Sequence, residues 1–397
     1  MANLMDYMDW RGDITFEQDG FNVIDALIMS QLSYVDFENV GLDAGSPVCI
    51  KDAVAGCLKQ YENPDEMLDS QELNEGQKTF IRMRKCDRYR NLELVFYSQK
   101  FSEEKAMQFG AVTILLGNGD IVVAFRGTDG TITGWEEDFN LCYMMPVASQ
   151  VEADEYLDSV MNTLAGKVYI CGHSKGGNLA IYSTFHRSDE QIMRIEKVYS
   201  FDGPGFMKEV VAGAEYKRII PKIESYLPQS SIVGMIMYSG EDYNIVHSEA
   251  HGLMQHFVLS WNVIGKEFVP DEQLKDVSIV FNSACRKWID GISPKERRLF
   301  THIVFKILKA PNADSFSEYS SNLIRTANSI IKSYGSLDKT TRQMIKKIVA
   351  QMIKMSRESL SEHIEGIRKP QTAIKDAYNV KSVSYTHLRA HETLSDL

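Results

Sequence analysis

Residues Val168–Ser183 read VYICGHSKGGNLAIYS. The stretch opens on a β-favouring apolar run, passes through Gly172-His173-Ser174-Lys175-Gly176, and then turns to helix-forming residues. A sharp strand-to-helix bend demands glycine two places before and two places after a serine. The serine takes a strained backbone conformation there, and the flanking positions are too crowded for a side chain. Such a bend aims the N-terminus of the next helix at Ser174, where its partial positive charge favours a developing oxyanion. A glycine-rich turn in an ordinary strand–helix unit would carry the same letters, so the rest of the chain has to decide.

Outward from this segment, strands and helices alternate. LELVFYS is rich in β-favouring residues, and FGAVTILL-GNGD-IVVAFRGT reads as two strands joined at Asn118-Gly119, a strong hairpin signal. A helix is expected from about Gly176 to Arg187. KVYSF (197–201) ends in DGPG, and GMIMYS (234–239) reads as a further strand ending in GEDYN. The alternation predicts an α/β fold: a mostly parallel sheet with helices on both faces. Residues 1–90 read as mainly helical, with Val23, Ile24, Leu27, Ile28 and Leu32 on one apolar stripe. From about 272 the chain is helical again. Ser293-Pro294-Lys295-Glu296 is a capping box with proline at the first helical position. A second helix ends near Gly335. A third, from about Lys339 to Ile367, carries Ile345, Ile348, Val349, Met352, Ile353, Leu360 and Ile364 on one stripe, best read as packing within a small helical domain. The organisation is therefore an N-terminal segment (1–90), an α/β core (91–271) and a basic helical domain (272–383). Ser382–Leu397, SVSYTHLRAHETLSDL, resembles translated sequencing-adapter read-through, so 384–397 is set aside as a non-native tail, with His387 and His391 in it.

The 397 residues are 44% hydrophobic, enough for a sizeable core. The sequence contains no apolar run of the roughly 20 residues that would span a bilayer. MANLMDYMDWRGD lacks the basic and apolar regions of a signal peptide, and Cys49, Cys57, Cys86, Cys142, Cys171 and Cys285 form no CxxC pair. A cytoplasmic location is expected. The net charge of −11 is uneven: residues 1–271 hold 22 Lys+Arg against 41 Asp+Glu (−19), and residues 272–383 hold 20 against 11 (+9). The basic helices leave room for peripheral contact with an anionic membrane. Their charges are spread out and no nucleic-acid motif accompanies them, so nucleic acid is not expected as a partner.

AFRGT followed by Trp135 and Asp138 in GWEEDFNL, then GHSKGG, then a strand ending in FDGPGF, resembles the class 3 lipases of the α/β-hydrolase fold. More narrowly, residues 20–265 are similar to a bacterial lipase-like branch of unknown function, with N-terminal helices reading like "LI…SQLSY" and a helical C-terminal extension. The resemblance implies Thr128 as one oxyanion contact beside the backbone amide of Lys175. The Lys175 side chain is expected to be exposed, where it could also attract an anionic substrate.

The two partners of the serine should follow it as acid, then histidine. Asp202 and Asp242 each lie just past an expected strand, with Glu241 beside the latter. The lipase-like pattern favours Asp242, leaving Asp202 as the alternative acid. Among His247, His251, His256, His302 and His363, the loop position of His256 and its "GL-Q-H…SW" setting favour it as base. His247 and His251 have the i,i+4 spacing of a metal pair but no clear third ligand, so neither a metal nor a cofactor is expected. The implied chemistry is hydrolysis of a small-molecule or lipid acyl ester, or a thioester, through an acyl-enzyme. A non-catalytic protein that binds a partner through its helical regions is the alternative, and an acyltransferase using the same serine is a third reading. Oligomeric state and substrate identity do not follow from these residues.

Overall fold

The computed structural model describes residues 1–42, 46–57, 64–70, 72–309 and 323–368. The 384–397 tail lies outside the described residues. Among them runs an eight-stranded sheet in simple sequence order: β1 (Val48–Cys49), β2 (Glu93–Ser102), β3 (Met107–Leu115), β4 (Ile121–Phe125), β5 (Val168–His173), β6 (Ile195–Phe201), β7 (Ile223–Pro228) and β8 (Tyr243–Val246). β1 to β4 pair antiparallel and β4 to β8 pair parallel. The β3–β4 hairpin turns at Gly119, whose φ of 90° suits a residue without a side chain.

Sequential order with right-handed crossovers places the connecting helices on one face of a parallel sheet. Period-two alternation then divides each strand between two cores. Ile121, Val123 and Phe125 of β4 join Val168 and Ile170 of β5 against the helices Ala148–Thr163 and Lys175–Tyr182. Val122, Ala124 and Cys171 belong to the opposite core with Ile24, Leu27 and Ile28 of the helix Val23–Leu32. The N-terminal helices thus cover the face that the crossovers leave bare. They are held by a fully buried bidentate pair, with Arg88 Nε 2.8 Å from Asp25 Oδ1 and its terminal nitrogen 2.6 Å from Oδ2. The Tyr89 hydroxyl donates to the same carboxylate at 2.7 Å. Arg88 also donates to the carbonyls of Ile14, Asp19 and Gly20, so one guanidinium closes the turn between the first two helices.

Two expectations change. Residues 234–239 form no strand: a 3₁₀ turn covers Val233–Met235 and Met237 has φ 68°. Asn282 and Arg286 of the helix Asp276–Gly291 donate to the carbonyls of Met235 and Met237, at 2.6 and 3.0 Å, occupying groups a strand would have used. The next parallel strands are instead β7, IESYLP, whose polar alternate residues masked it, and the short β8. The helix after Ser174 ends at Tyr182, short of Arg187.

The capping box forms, with Glu296 N–H donating to Ser293 Oγ at 3.3 Å and Ser293 N–H to Glu296 at 3.1 Å, and it starts the helix Pro294–Lys309. Helices Leu323–Ser336 and Lys339–Arg368 follow. Among the described residues the stripe on the last one closes only in part, with Ile348 and the partly buried Ile345 packing against Trp288, Ile289 and Phe300. Ile348 is buried, but Val349, Met352, Ile353, Leu360 and Ile364 are 39–50% exposed. Among the described residues, no helix is long and apolar enough to cross a membrane. A parallel sheet in sequential order, preceded by an antiparallel meander and covered by helices on both faces, is an α/β-hydrolase architecture.

Candidate active site

Ser174 stands directly past the C-terminal end of β5, before the helix Lys175–Tyr182. Its φ of 58° lies in the left-handed region that a non-glycine residue occupies only when its surroundings impose it. Gly172 and Gly176 permit the bend. A Cβ on Gly172 would come within 2.1 Å of the Gly176 carbonyl oxygen, and one on Gly176 within 2.2 Å of that of Phe125. The turn is fastened by Ser174 N–H donating to the Phe201 carbonyl at 2.9 Å.

One strand away, Asp202 follows β6, also with positive φ (49°). Its fully buried carboxylate lies 2.6 Å from His256 Nδ1, accepts from the Gly234 amide at 3.1 Å and accepts from the Ser231 hydroxyl. Burial alone raises the Asp202 carboxyl. The hydrogen bond and charge of His256, then the Ser231 hydroxyl and the charge of His173, outweigh it and hold the group below the usual carboxylate range. With Nδ1–H committed to Asp202, the lone pair of His256 Nε2 is left to take a proton.

Asp242 does not join this group. It precedes β8, three strands from β5, and the strand register (His173 with Phe201, Phe201 with Tyr226, Tyr226 with Asn244) sets it two residues below the level of the serine's strand end. At about 4.8 Å between strands and 3.3 Å per residue, that is roughly 15 Å away. The expectation of Asp242 as partner of His256 rested on a strand at 234–239 that does not form. Glu241 is engaged elsewhere, accepting from Ser225 Oγ at 2.6 Å and from the Tyr216 hydroxyl. His247 Nδ1 faces Asp271 at 3.2 Å, and His251 and His302 are exposed. His363 Nε2 lies 3.0 Å from Asp276 between C-terminal helices.

The 3₁₀ turn Gly252–His256 is secured from three sides. Gln255 accepts from the Ser230 amide at 2.7 Å and its carbonyl accepts from the Trp261 indole at 2.7 Å, which gives the Gln, His and Trp of the motif separate physical duties. The Glu75 carboxylate accepts from the amides of Val258 and Leu259, at 3.0 and 2.9 Å. Beneath the turn, the His173 ring lies 4.5 Å from the His256 ring, centre to centre, and its Nε2 is 2.9 Å from the His256 carbonyl. A carbonyl only accepts, so Nε2 carries the proton and Nδ1 accepts from the Tyr34 hydroxyl at 3.0 Å. Burial and then the charge of His256 push His173 down to about 3 against the raising influence of Asp202, so the ring is neutral. Glu75 and His173 carried no motif expectation. Tyr34 was present only as the last letter of the "SQLSY" helix.

On the other side of Ser174, Thr128 follows β4 and its Oγ1 donates to Asp138 at 2.6 Å. Burial raises Asp138 to about 6 against the lowering charge of Lys175 and the Thr128 hydrogen bond. The Lys175 side chain is not exposed. It is fully buried with Nζ 2.8 Å from Glu137, so it is not available as an external lure for anionic substrates. Trp135, Phe139, Leu253, Met254 and Phe257 leave apolar surface exposed on the elements that carry Asp138 and His256.

Residues 83–306 match the family model described as Mbeg1-like. Among solved structures, the chain is similar to Rhizomucor miehei lipase in its propeptide complex at 15% identity, over 40% of this chain and 57% of that one, with a TM-score of 0.30. It is similar to M37 lipase at 18% identity, over 53% and 68% of the two chains, with a TM-score of 0.31. A mutant form of MDLA from Penicillium cyclopium shares 10% identity over 64% of this chain and 86% of that one, with a TM-score of 0.35. The chain thus spans less than two thirds of the Rhizomucor lipase chain. No curated protein matches it. Because the family match runs through more than half of the sequence, the protein belongs to the Mbeg1-like family.

Proposed function

We propose that the protein is a serine hydrolase that cleaves a carboxylic ester or thioester through Ser174, His256 and Asp202. The observation that carries this reading is the buried Asp202–His256 pair, one strand from a serine held on a strained, glycine-flanked bend. His256 Nε2 takes the Ser174 hydroxyl proton as Oγ attacks the acyl carbonyl carbon, and Asp202 orients the ring and stabilises the imidazolium. The carbonyl oxygen becomes an oxyanion and accepts from the Lys175 amide at the helix N-terminus and from the Thr128 backbone amide, the Thr128 hydroxyl being committed to Asp138. As the tetrahedral intermediate collapses, the C–O or C–S bond breaks and His256 returns the proton to the leaving alcohol or thiol. Water, deprotonated by the same histidine, then attacks the acyl-enzyme and regenerates Ser174. No other group is needed for the proton balance. The exposed Leu253, Met254 and Phe257 around His256 support an apolar acyl substrate.

Labelling with a fluorophosphonate probe tests the reading. The wild type is expected to label, and Ser174→Ala, Asp202→Ala and His256→Ala to lose the label while remaining folded. A folded wild type that takes no label removes the hydrolase reading and leaves the partner-binding alternative.

A further inference from the structure

Lys175 supplies its backbone amide to the reaction proposed above, which leaves its buried ammonium without a part in the chemistry. A buried charge is retained at a desolvation cost unless every donor is answered. Here all three are: Nζ lies 2.8 Å from Glu137 Oε2, 2.7 Å from the Gln108 carbonyl and 3.3 Å from Gln108 Oε1. Glu137 is equally saturated, accepting from the Gln108 amide at 3.0 Å and the Ser149 amide at 2.8 Å. Gln108 Oε1 in turn accepts from the Asp129 amide at 3.3 Å, next to Thr128.

The residue after Glu137 is Asp138, which holds the Thr128 hydroxyl at 2.6 Å. Two consecutive residues of the helix Ile132–Asn140 therefore grip the two oxyanion donors: Glu137 holds Lys175, and Asp138 holds Thr128. We propose that the Lys175 side chain is a positioning residue of the oxyanion hole, acting through its ion pair with Glu137 to fix Thr128 relative to its own amide. The inference rests on the serine-hydrolase reading. An apolar side chain at 175 would fill the same space but leave the helix free to slide along the elbow. The ion pair instead sets one register, because a shift of the helix would strand both charges away from water.

The test measures kcat and KM on a p-nitrophenyl acyl ester for wild type, Lys175→Met, Lys175→Met/Glu137→Gln, Thr128→Val, and Thr128→Val in the double-variant background. Lys175→Met alone strands a buried carboxylate and is expected to destabilise the fold. The charge-balanced double variant keeps the measurement possible if the single one does not fold. The expected result is that the double variant loses about 10- to 100-fold in kcat with KM within about threefold, as when an oxyanion donor is misplaced. The shape of its pH–kcat profile should not move, since Lys175 and Glu137 do not touch the Asp202–His256 pair. Thr128→Val removes the grip of Asp138 on the loop that presents the Thr128 amide and is expected to cost about 100-fold in the wild type but less than about fivefold in the double-variant background, where that amide is already out of place. Additive losses, or a double variant with wild-type kcat, overturn the positioning role while leaving the hydrolase reading intact. A wild type that neither hydrolyses the ester nor takes a fluorophosphonate removes both.

Discussion

Asp202 Oδ2 lies 2.6 Å from His256 Nδ1, although the two residues are 54 positions apart in the chain. Asp202 sits one strand from the serine's own strand, on a positive-φ turn that directs its carboxylate under the 3₁₀ turn carrying His256. Asp202 and Ser174 therefore stand on two adjacent, similarly bent strand ends of one sheet, and His256 comes from a loop.

Asp202→Asn is expected to keep the fold and to lower kcat by about 10⁴-fold, because the amide no longer fixes the His256 tautomer. Asp242→Asn is expected to stay within about threefold of wild type, in line with its strand-register distance of roughly 15 Å. Steady-state hydrolysis of one acyl ester by both variants checks the pair. Equal losses would contradict the acid assignment.

Glu75 acts on the same loop from the N-terminal segment. Glu75→Ala removes the acceptor for the Val258 and Leu259 amides and is expected to lower kcat by about 100-fold, the scale of a 1 Å displacement of a catalytic group. Glu75→Gln keeps one acceptor oxygen and should fall in between. Kinetics of the two variants, with thermal melts as a control, decide this.

Two buried groups beside the site give opposite pH signatures. His173 is pushed down to about 3, so its contribution to stability is present above its ordinary value of 6.5 and is lost as pH falls toward 3. Between pH 7 and 4.5 the wild type should lose roughly 2–3 kcal/mol more than His173→Gln, whose amide keeps a donor for the His256 carbonyl. Asp138 is raised to about 6, so its contribution is present below 3.8 and lost as pH rises through 6. Asp138→Asn should therefore gain on wild type by about 2 kcal/mol between pH 4 and 8. Urea unfolding at these pH values reads both, and parallel curves for wild type and variant would refute the assignment concerned.

The Arg88–Asp25 pair is a pure stability element. Asp25→Ala strands a buried guanidinium and the buried Tyr89 hydroxyl, and is expected to cost about 3–5 kcal/mol. Urea midpoints, with labelling at Ser174 followed in parallel, would show whether the sheet core survives when the N-terminal helices loosen.

Local chemistry determined much of the protein. Gly172 and Gly176 around Ser174, the Asn118-Gly119 turn, the alternating apolar runs of β2 to β6 and the Ser293–Glu296 cap are short-range constraints, each legible within a dozen residues. His256 was legible as well, from the Gln and Trp that turn out to clamp it. What tertiary structure decided is which distant groups meet. MIMYS at 235–239 is apolar enough to read as a strand, yet helix Asp276–Gly291 takes its carbonyls, so the acid expected after it at Asp242 falls away from the site and Asp202 takes the place beside His256. The charge on Lys175 suggested exposure, and the carboxylate of Glu137, 38 residues earlier, together with the oxygens of Gln108 makes its burial tolerable. The stripe from Ile345 to Ile364 suggested a core, but the described helices packed against it cover Ile345 and Ile348 and leave Val349, Met352, Ile353, Leu360 and Ile364 exposed. Backbone propensity and steric fit act between neighbours in sequence; charge pairing and burial depend on residues brought together by folding.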